Sequence, residues 1–372
     1  MNLNYTEPTN QTISLELHFP VRITFLVYSI LLILFGCSGN VMLLTTLVYK
    51  QRRQQVPTRF HRSVSSQSST GGTMPRYLRP GRGYFTSTAD YLLFLVTLCE
   101  FCCIWVVVLR YTVHLALGYD LRTRFKHGCV IQKFLTSFFT HVFVALLCVF
   151  LAQRAFSMRC PLLARKVITR FRLNCCLASI LVFISLKHVP VLFIYADVKN
   201  SHTTNCATQP GRIAVTMDQV YRLFDFITHS VIGYGLMVVL NAVLYSALRK
   251  SRLSPLARNT RIINSPKPEI LTDQKCNVGI SRRGLAASRI ILCLSISQVI
   301  SSIPYFVLIE LFHMLKLNWL TPRNQLAIYY VCVFILFTNY VINYFVVLAV
   351  SSRIRQTSMK MLSGLLRRTV NS

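Results

Sequence analysis

The chain has 372 residues, of which 53% are hydrophobic and only 14% charged, and it carries a formal net charge of +30. So apolar a composition excludes an ordinary soluble domain of this size and fits a polytopic membrane protein. The basic excess admits nucleic acid or an acidic lipid surface as partner, and where the charge lies along the chain decides between them.

Residues 1–22 form a polar leader with two glycosylation acceptors, Asn4-Tyr5-Thr6 and Asn10-Gln11-Thr12. No apolar region precedes them, so no cleavable signal peptide is expected and the first apolar span serves as its own anchor. Seven apolar spans follow, at about 23–48, 87–114, 130–157, 173–196, 220–247, 286–314 and 325–351. Each is long enough to cross a bilayer as a helix. Residues 50–86 hold eight Lys/Arg and no acid, 154–172 six and none, 248–289 ten and two acids, and the tail from 352 five and none. These four segments lie on one side of a seven-span chain and carry 29 of its 41 basic residues. The positive-inside rule makes that side cytoplasmic and the N-terminus extracellular. The basic face then meets anionic inner-leaflet lipid, and nucleic acid falls away as a partner.

The segment 50–86 separates the first two spans. It is rich in Arg, Ser, Gly and Pro, a composition that predicts disorder. Either it binds inner-leaflet lipid and is released by serine phosphorylation, or it is an insertion without a role.

The third span begins just after Cys129 and ends near Arg154, 25 residues later. In a helix those steps cover roughly 37 Å, enough to put the cysteine at one membrane face and the arginine at the other. Of the thirteen cysteines, Cys99, Cys102, Cys103, Cys148, Cys175, Cys176, Cys293 and Cys332 lie within apolar spans and read as small packing residues. Only Cys129 and Cys206 fall on the expected extracellular side, where they either pair or remain as two free thiols. An oxidising compartment favours the pair.

Over nearly its whole length the chain resembles the rhodopsin-like family of G-protein-coupled receptors. Gly39-Asn40 matches the Gly-Asn pair of the family's first helix. Asp90 to Glu100 resembles its second helix, with Glu100 in place of the sodium-binding aspartate. A carboxylate at that depth needs a partner; it is either a sodium ligand or a protonated acid bonded to Asn339 or Asn343. Ala152-Gln153-Arg154-Ala155 stands where the family has Asp/Glu-Arg-Tyr, and Cys160-Pro161 follows. Only the arginine of that motif survives, and Gln153 cannot hold it by charge. Pro190 fits the fourth helix, and Tyr245 stands near the family's activation tyrosine in the fifth. Ser301-Ser302-Ile303-Pro304 replaces Cys-Trp-x-Pro in the sixth, with Pro304 expected to kink the helix. Asn339 to Val347 keeps both asparagines of Asn-x-x-x-Asn-Pro-x-x-Tyr and loses its proline and tyrosine. The switch positions Gln153, Ala155, Ser302, Tyr344 and Val347 thus depart together. Residues 352–368 interleave apolar and basic side chains, as expected of an amphipathic helix lying on the membrane.

The resemblance implies an all-α, seven-transmembrane-helix bundle over 23–351, followed by a cytoplasmic tail, 352–372, with a short amphipathic eighth helix. It implies a plasma-membrane receptor, not an enzyme, without cofactor or metal. Such a receptor passes an extracellular ligand's signal to a heterotrimeric G protein through movement of helices five and six around Arg154. The alternative is an atypical receptor, constitutive or uncoupled, acting through partner binding.

Thr136 and Ser137 stand where amine receptors have an aspartate, which argues for a peptide or lipid-like ligand. No lysine in the seventh span excludes a retinal Schiff base there. Candidate pocket residues are Thr136, Ser137, Lys187, Asp225 and Glu310, within an outer half that also holds Arg110, His114, Lys133, Arg222 and His313. Lys187 and Asp225 either face a ligand or pair with one another. His141, His188 and His229 are scattered along the chain and each reads as a packing histidine. Neither an inverted repeat nor a ring of acids points to a transporter or channel.

Overall fold

The computed structural model describes residues 19–55, 87–118, 120–200, 203–264, 282–311 and 322–370. Asn4, Asn10, His313 and most of the long segment between the first two spans lie outside these residues. Glu310 is placed on a helix, but its side chain is not among those described.

Among the described residues, seven helices are long and apolar enough to cross a membrane, the architecture of a multi-pass membrane protein. They are α1 (Phe19–Gln55), α2 (Thr88–Leu117), α3 (Gly128–Arg159), α4 (Arg170–Ile194), α5 (Arg212–Lys250), α6 (Gly284–Ile309) and α7 (Pro322–Val350). An eighth helix, α8, follows at Ser352–Val370. α1 and α5 continue beyond the apolar stretches that announce them. α5 starts at Arg212 rather than near 220, because Arg212–Asp225 is an amphipathic helix that hydropathy alone leaves out.

α3 runs through the bundle, where Phe143, Leu147, Phe150 and Leu151 are buried along it. Its two ends name the two ends of the molecule. At the Cys129 end, Arg22 of α1 donates from Nε to the Leu115 carbonyl at 2.7 Å, serving one of the last carbonyls of α2. Gly118 then ends α2 in the left-handed conformation, φ 73°, that glycine adopts without strain. Close by, Tyr111 packs edge-on against Tyr330 of α7, with ring centroids 5.8 Å apart, and bonds Tyr329 hydroxyl to hydroxyl at 2.5 Å. At the Arg154 end, α8 is anchored by buried Ile354 and by a Thr46–Ser358 hydroxyl pair at 3.0 Å.

An all-α reading leaves out one element. Between α4 and α5 lies an antiparallel hairpin, β1 (Tyr195–Asn200) and β2 (Thr203–Thr208), with Asp197 opposite Cys206. Among the described residues, π-helical turns occur at Ile104–Val108 in α2, at Phe226–Gly233 in α5 and at Phe306–Leu311, which closes α6 and runs past its apolar end. The last follows Pro304, which has no N–H to give to the helical ladder.

Candidate functional site

At the Cys129 end, Cys129 and Cys206 form a disulfide, with Cα atoms 5.2 Å apart. It fastens the hairpin to the top of α3 among Val191, Ile194, Tyr195 and Tyr221. A carboxylate that sequence reading passed over completes the fastening. Asp218 of α5 accepts from the Tyr195 hydroxyl at 2.7 Å and from Arg222 Nε at 2.9 Å. Lys133 of α3 lies over the Tyr195 ring, 4.6 Å from its centroid.

Beside the hairpin, Asp120 is held by two guanidiniums. Arg110 Nη2 approaches it at 3.0 Å and Arg122 Nη2 at 2.6 Å. Burial alone would raise the Asp120 carboxyl, but the two cations outweigh it and hold the group well below the usual carboxylate range. Burial and the neighbouring Arg110 lower Arg122 in turn.

The next layer holds the candidate ligand residues. Lys187 Nζ lies 2.8 Å from Asp225 Oδ1, with side chains 3% and 26% exposed. The two therefore neutralise each other, which is the second of the arrangements left open by the sequence. Thr136 and Ser137 are half-buried on α3, and their carbonyls accept from the Thr140 hydroxyl at 2.8 and 3.0 Å. The three histidines are not scattered, contrary to the reading as separate packing residues. The His141 ring centroid is 4.5 Å from that of His188 on α4 and 3.9 Å from that of His229 on α5. His141, His188 and Asp225 offer ligand atoms within 4.8 Å of one another. A histidine in each of three apolar spans was the available signal, but spans do not report which faces meet.

Deeper in the bundle, Asn343 Nδ2 donates to Glu100 Oε1, and Glu100 is 1% exposed. Asn339 joins a different chain. Its Nδ2 donates to Gln298 Oε1 at 2.5 Å, its Oδ1 accepts from Ser297 at 2.5 Å, and Gln298 Nε2 donates to the Tyr234 hydroxyl at 3.1 Å. Glu100 thus pairs with Asn343, Asn339 joins α5 and α6, and Asn40 of the Gly-Asn pair bonds to neither group. Asn40 is buried, and neither of its side-chain polar atoms has a hydrogen-bond partner among the described residues. Gln298 was missed, although a glutamine within an apolar span is itself a signal.

At the Arg154 end, Arg154 is buried on α3 and forms no ion pair among the described residues. Its Nε has no hydrogen-bond partner, and its guanidinium carbon lies 5.8 Å from the Phe150 centroid. Gln153 turns to α2, donating to Thr88 Oγ1 at 3.1 Å. Asp90 is engaged by Lys50, whose Nζ lies 2.8 Å from both carboxylate oxygens. Pro304 sits in the last turn before the π-helical segment of α6. Tyr245 is 59% exposed on α5.

No protein-family model matches the chain. Nor does any curated protein match it.

Proposed function

We propose that the chain is a divergent rhodopsin-like G-protein-coupled receptor of the plasma membrane, with its N-terminus outside and Arg154 on the cytoplasmic side. The observation that carries this reading is the organisation of α3. A disulfide at one end ties it to the hairpin before α5, and at the other stands a buried arginine that forms no ion pair among the described residues. The charge distribution supports the orientation, since the Arg154 end carries the basic segments. An extracellular ligand, peptide or lipid-like rather than amine, would act from the Cys129 end. Movement of α5 and α6 about Pro304 would open the cytoplasmic end to a heterotrimeric G protein.

The state of Arg154 also favours a specific form of this reading. The family's acid beside the arginine is absent, Gln153 bonds Thr88 instead, and Asp90 is engaged by Lys50. Among the described residues no ion pair holds Arg154 back from a G protein, so basal coupling is expected.

Ligand-free signalling tests this. Wild type and Arg154→Ala are expressed at matched surface levels and read with sensors for each G-protein class. The expected result is a basal signal above mock that Arg154→Ala abolishes. Silence of every sensor at normal surface expression refutes basal coupling and favours the atypical, partner-binding receptor.

A further inference from the structure

About 18 Å along α3 from Cys129, counted at 1.5 Å per residue, α3, α4 and α5 bring together a group that signalling does not require. His141 is 8% exposed and His188 0%. The bonds around the two rings fix their tautomers. His141 Nδ1 lies against the Ser137 carbonyl, which only accepts, so Nδ1 carries the proton. His188 Nε2, 3.2 Å from that Nδ1, is then a lone-pair acceptor. His188 Nδ1 keeps its own proton and donates to the Tyr221 hydroxyl at 2.7 Å.

This leaves neutral His141 with a lone pair on Nε2, facing Asp225 Oδ1 at 3.1 Å. Neither atom has a hydrogen bond of acceptable geometry. Lys187 offsets the charge of Asp225 but leaves His141 Nε2 unserved. Two acceptors opposed in a buried place are unfavourable unless a cation lies between them. The Nε2 lone pairs of His141 and His188 and a carboxylate oxygen of Asp225 make a donor set of two imidazoles and one carboxylate.

We propose that His141, His188 and Asp225 bind one divalent transition-metal ion of the zinc class. Two imidazoles with a carboxylate are a zinc-type set that leaves a fourth position open. Ligands about 2.1 Å from zinc at tetrahedral angles lie roughly 3.4 Å apart. His141 and Asp225, at 3.1 Å, already stand at that spacing, and the set as a whole lies within 4.8 Å; the site closes when His188 Nε2 turns from His141 Nδ1, which keeps the Ser137 carbonyl, toward the ion.

The backbone supports the placement. The π-helical stretch Phe226–Gly233 begins directly after Asp225, and such turns recur at functional sites. It contains His229, whose ring packs on His141 as a buttress and not as a ligand. The ion would clip α5 to α3 and α4. This inference does not rest on G-protein coupling and holds for either form of the receptor reading.

The test uses the full chain in lipid nanodiscs, stripped with chelator and titrated with zinc chloride, with metal stoichiometry and melting temperature measured together. One Zn2+ per chain and a rise in melting temperature are expected. H141Q and H188Q should each weaken binding by more than about 100-fold, since loss of a ligand exceeds the roughly 10–100-fold effect of an outer-shell partner. Lys187→Met should strengthen it at least about tenfold, because the ammonium competes for the same carboxylate oxygen. His229→Gln removes a ring packed on His141 but no ligand, and should weaken binding by less than the loss of either histidine ligand. Should the histidine variants fail to fold, pulsed electron paramagnetic resonance of the Cu2+-loaded wild type counts the coordinated imidazoles, and two are expected. Absence of saturable zinc binding, binding retained by H141Q and H188Q, or a count other than two overturns the site. A proton on His141 Nε2, shared with Asp225, would then take the metal's place.

Discussion

The Lys187–Asp225 pair allows a sharp test of what holds α4 against α5. At 2.8 Å and an effective dielectric constant of about 20, the attraction between the two charges is about 6 kcal/mol. Desolvation of the lysine, 3% exposed, offsets part of this, so a coupling of about 3 kcal/mol is expected in a double-mutant cycle. Lys187→Met leaves the Asp225 carboxylate without its cation, and Asp225→Asn leaves a buried ammonium without its anion. Each single change should cost about 3–5 kcal/mol, and the double variant should cost about 3 kcal/mol less than the two singles summed. Unfolding free energies in lipid-detergent micelles, measured with chelator present so that no metal contributes, give the cycle. Costs that simply add, within about 0.5 kcal/mol, would refute the argument, because they would mean that the ions are stabilised by something other than each other.

Two further outcomes follow from the Cys129 end. Asp120→Asn leaves the Arg110 and Arg122 guanidiniums facing each other and should cost about 3 kcal/mol. The folded Asp120 carboxyl lies below its unfolded value of about 3.9. Its contribution is therefore complete above about pH 4 and is lost as pH falls through the lowered folded value. The melting temperatures of wild type and Asp120→Asn should stay apart from pH 8 to pH 5 and converge only in stronger acid; convergence near neutral pH would contradict the pairing. Gly128→Ala would place a Cβ 2.5 Å from the Arg122 backbone carbonyl, an overlap that a side-chain rotation cannot relieve. It should destabilise by about 1–3 kcal/mol in a thermal melt, and an unchanged melting temperature would show that this turn yields easily.

The seven spans were legible because bilayer thickness sets a minimum apolar length that a linear pattern reveals. Cys129 and Cys206 were legible because their neighbours in sequence placed both on one side of the membrane. The partners of Glu100 were half legible. Depth in the membrane narrowed them to Asn339 and Asn343, and only the rotation of α7 assigned Asn343. Other features were beyond reach of the sequence. His141 and His188 are 47 residues apart and touch because α3 and α4 turn particular faces toward each other. Asp225 joins them at the start of a π-helical stretch of α5 that no hydropathy pattern announces. Asp218 holds the hairpin only because the hairpin exists, and the hairpin arises from cross-strand pairing between α4 and α5. Periodicity along a single helix states how apolar it is. It does not state how that helix is rotated against its neighbours, and the rotation is what brings the histidines and the acid to one place.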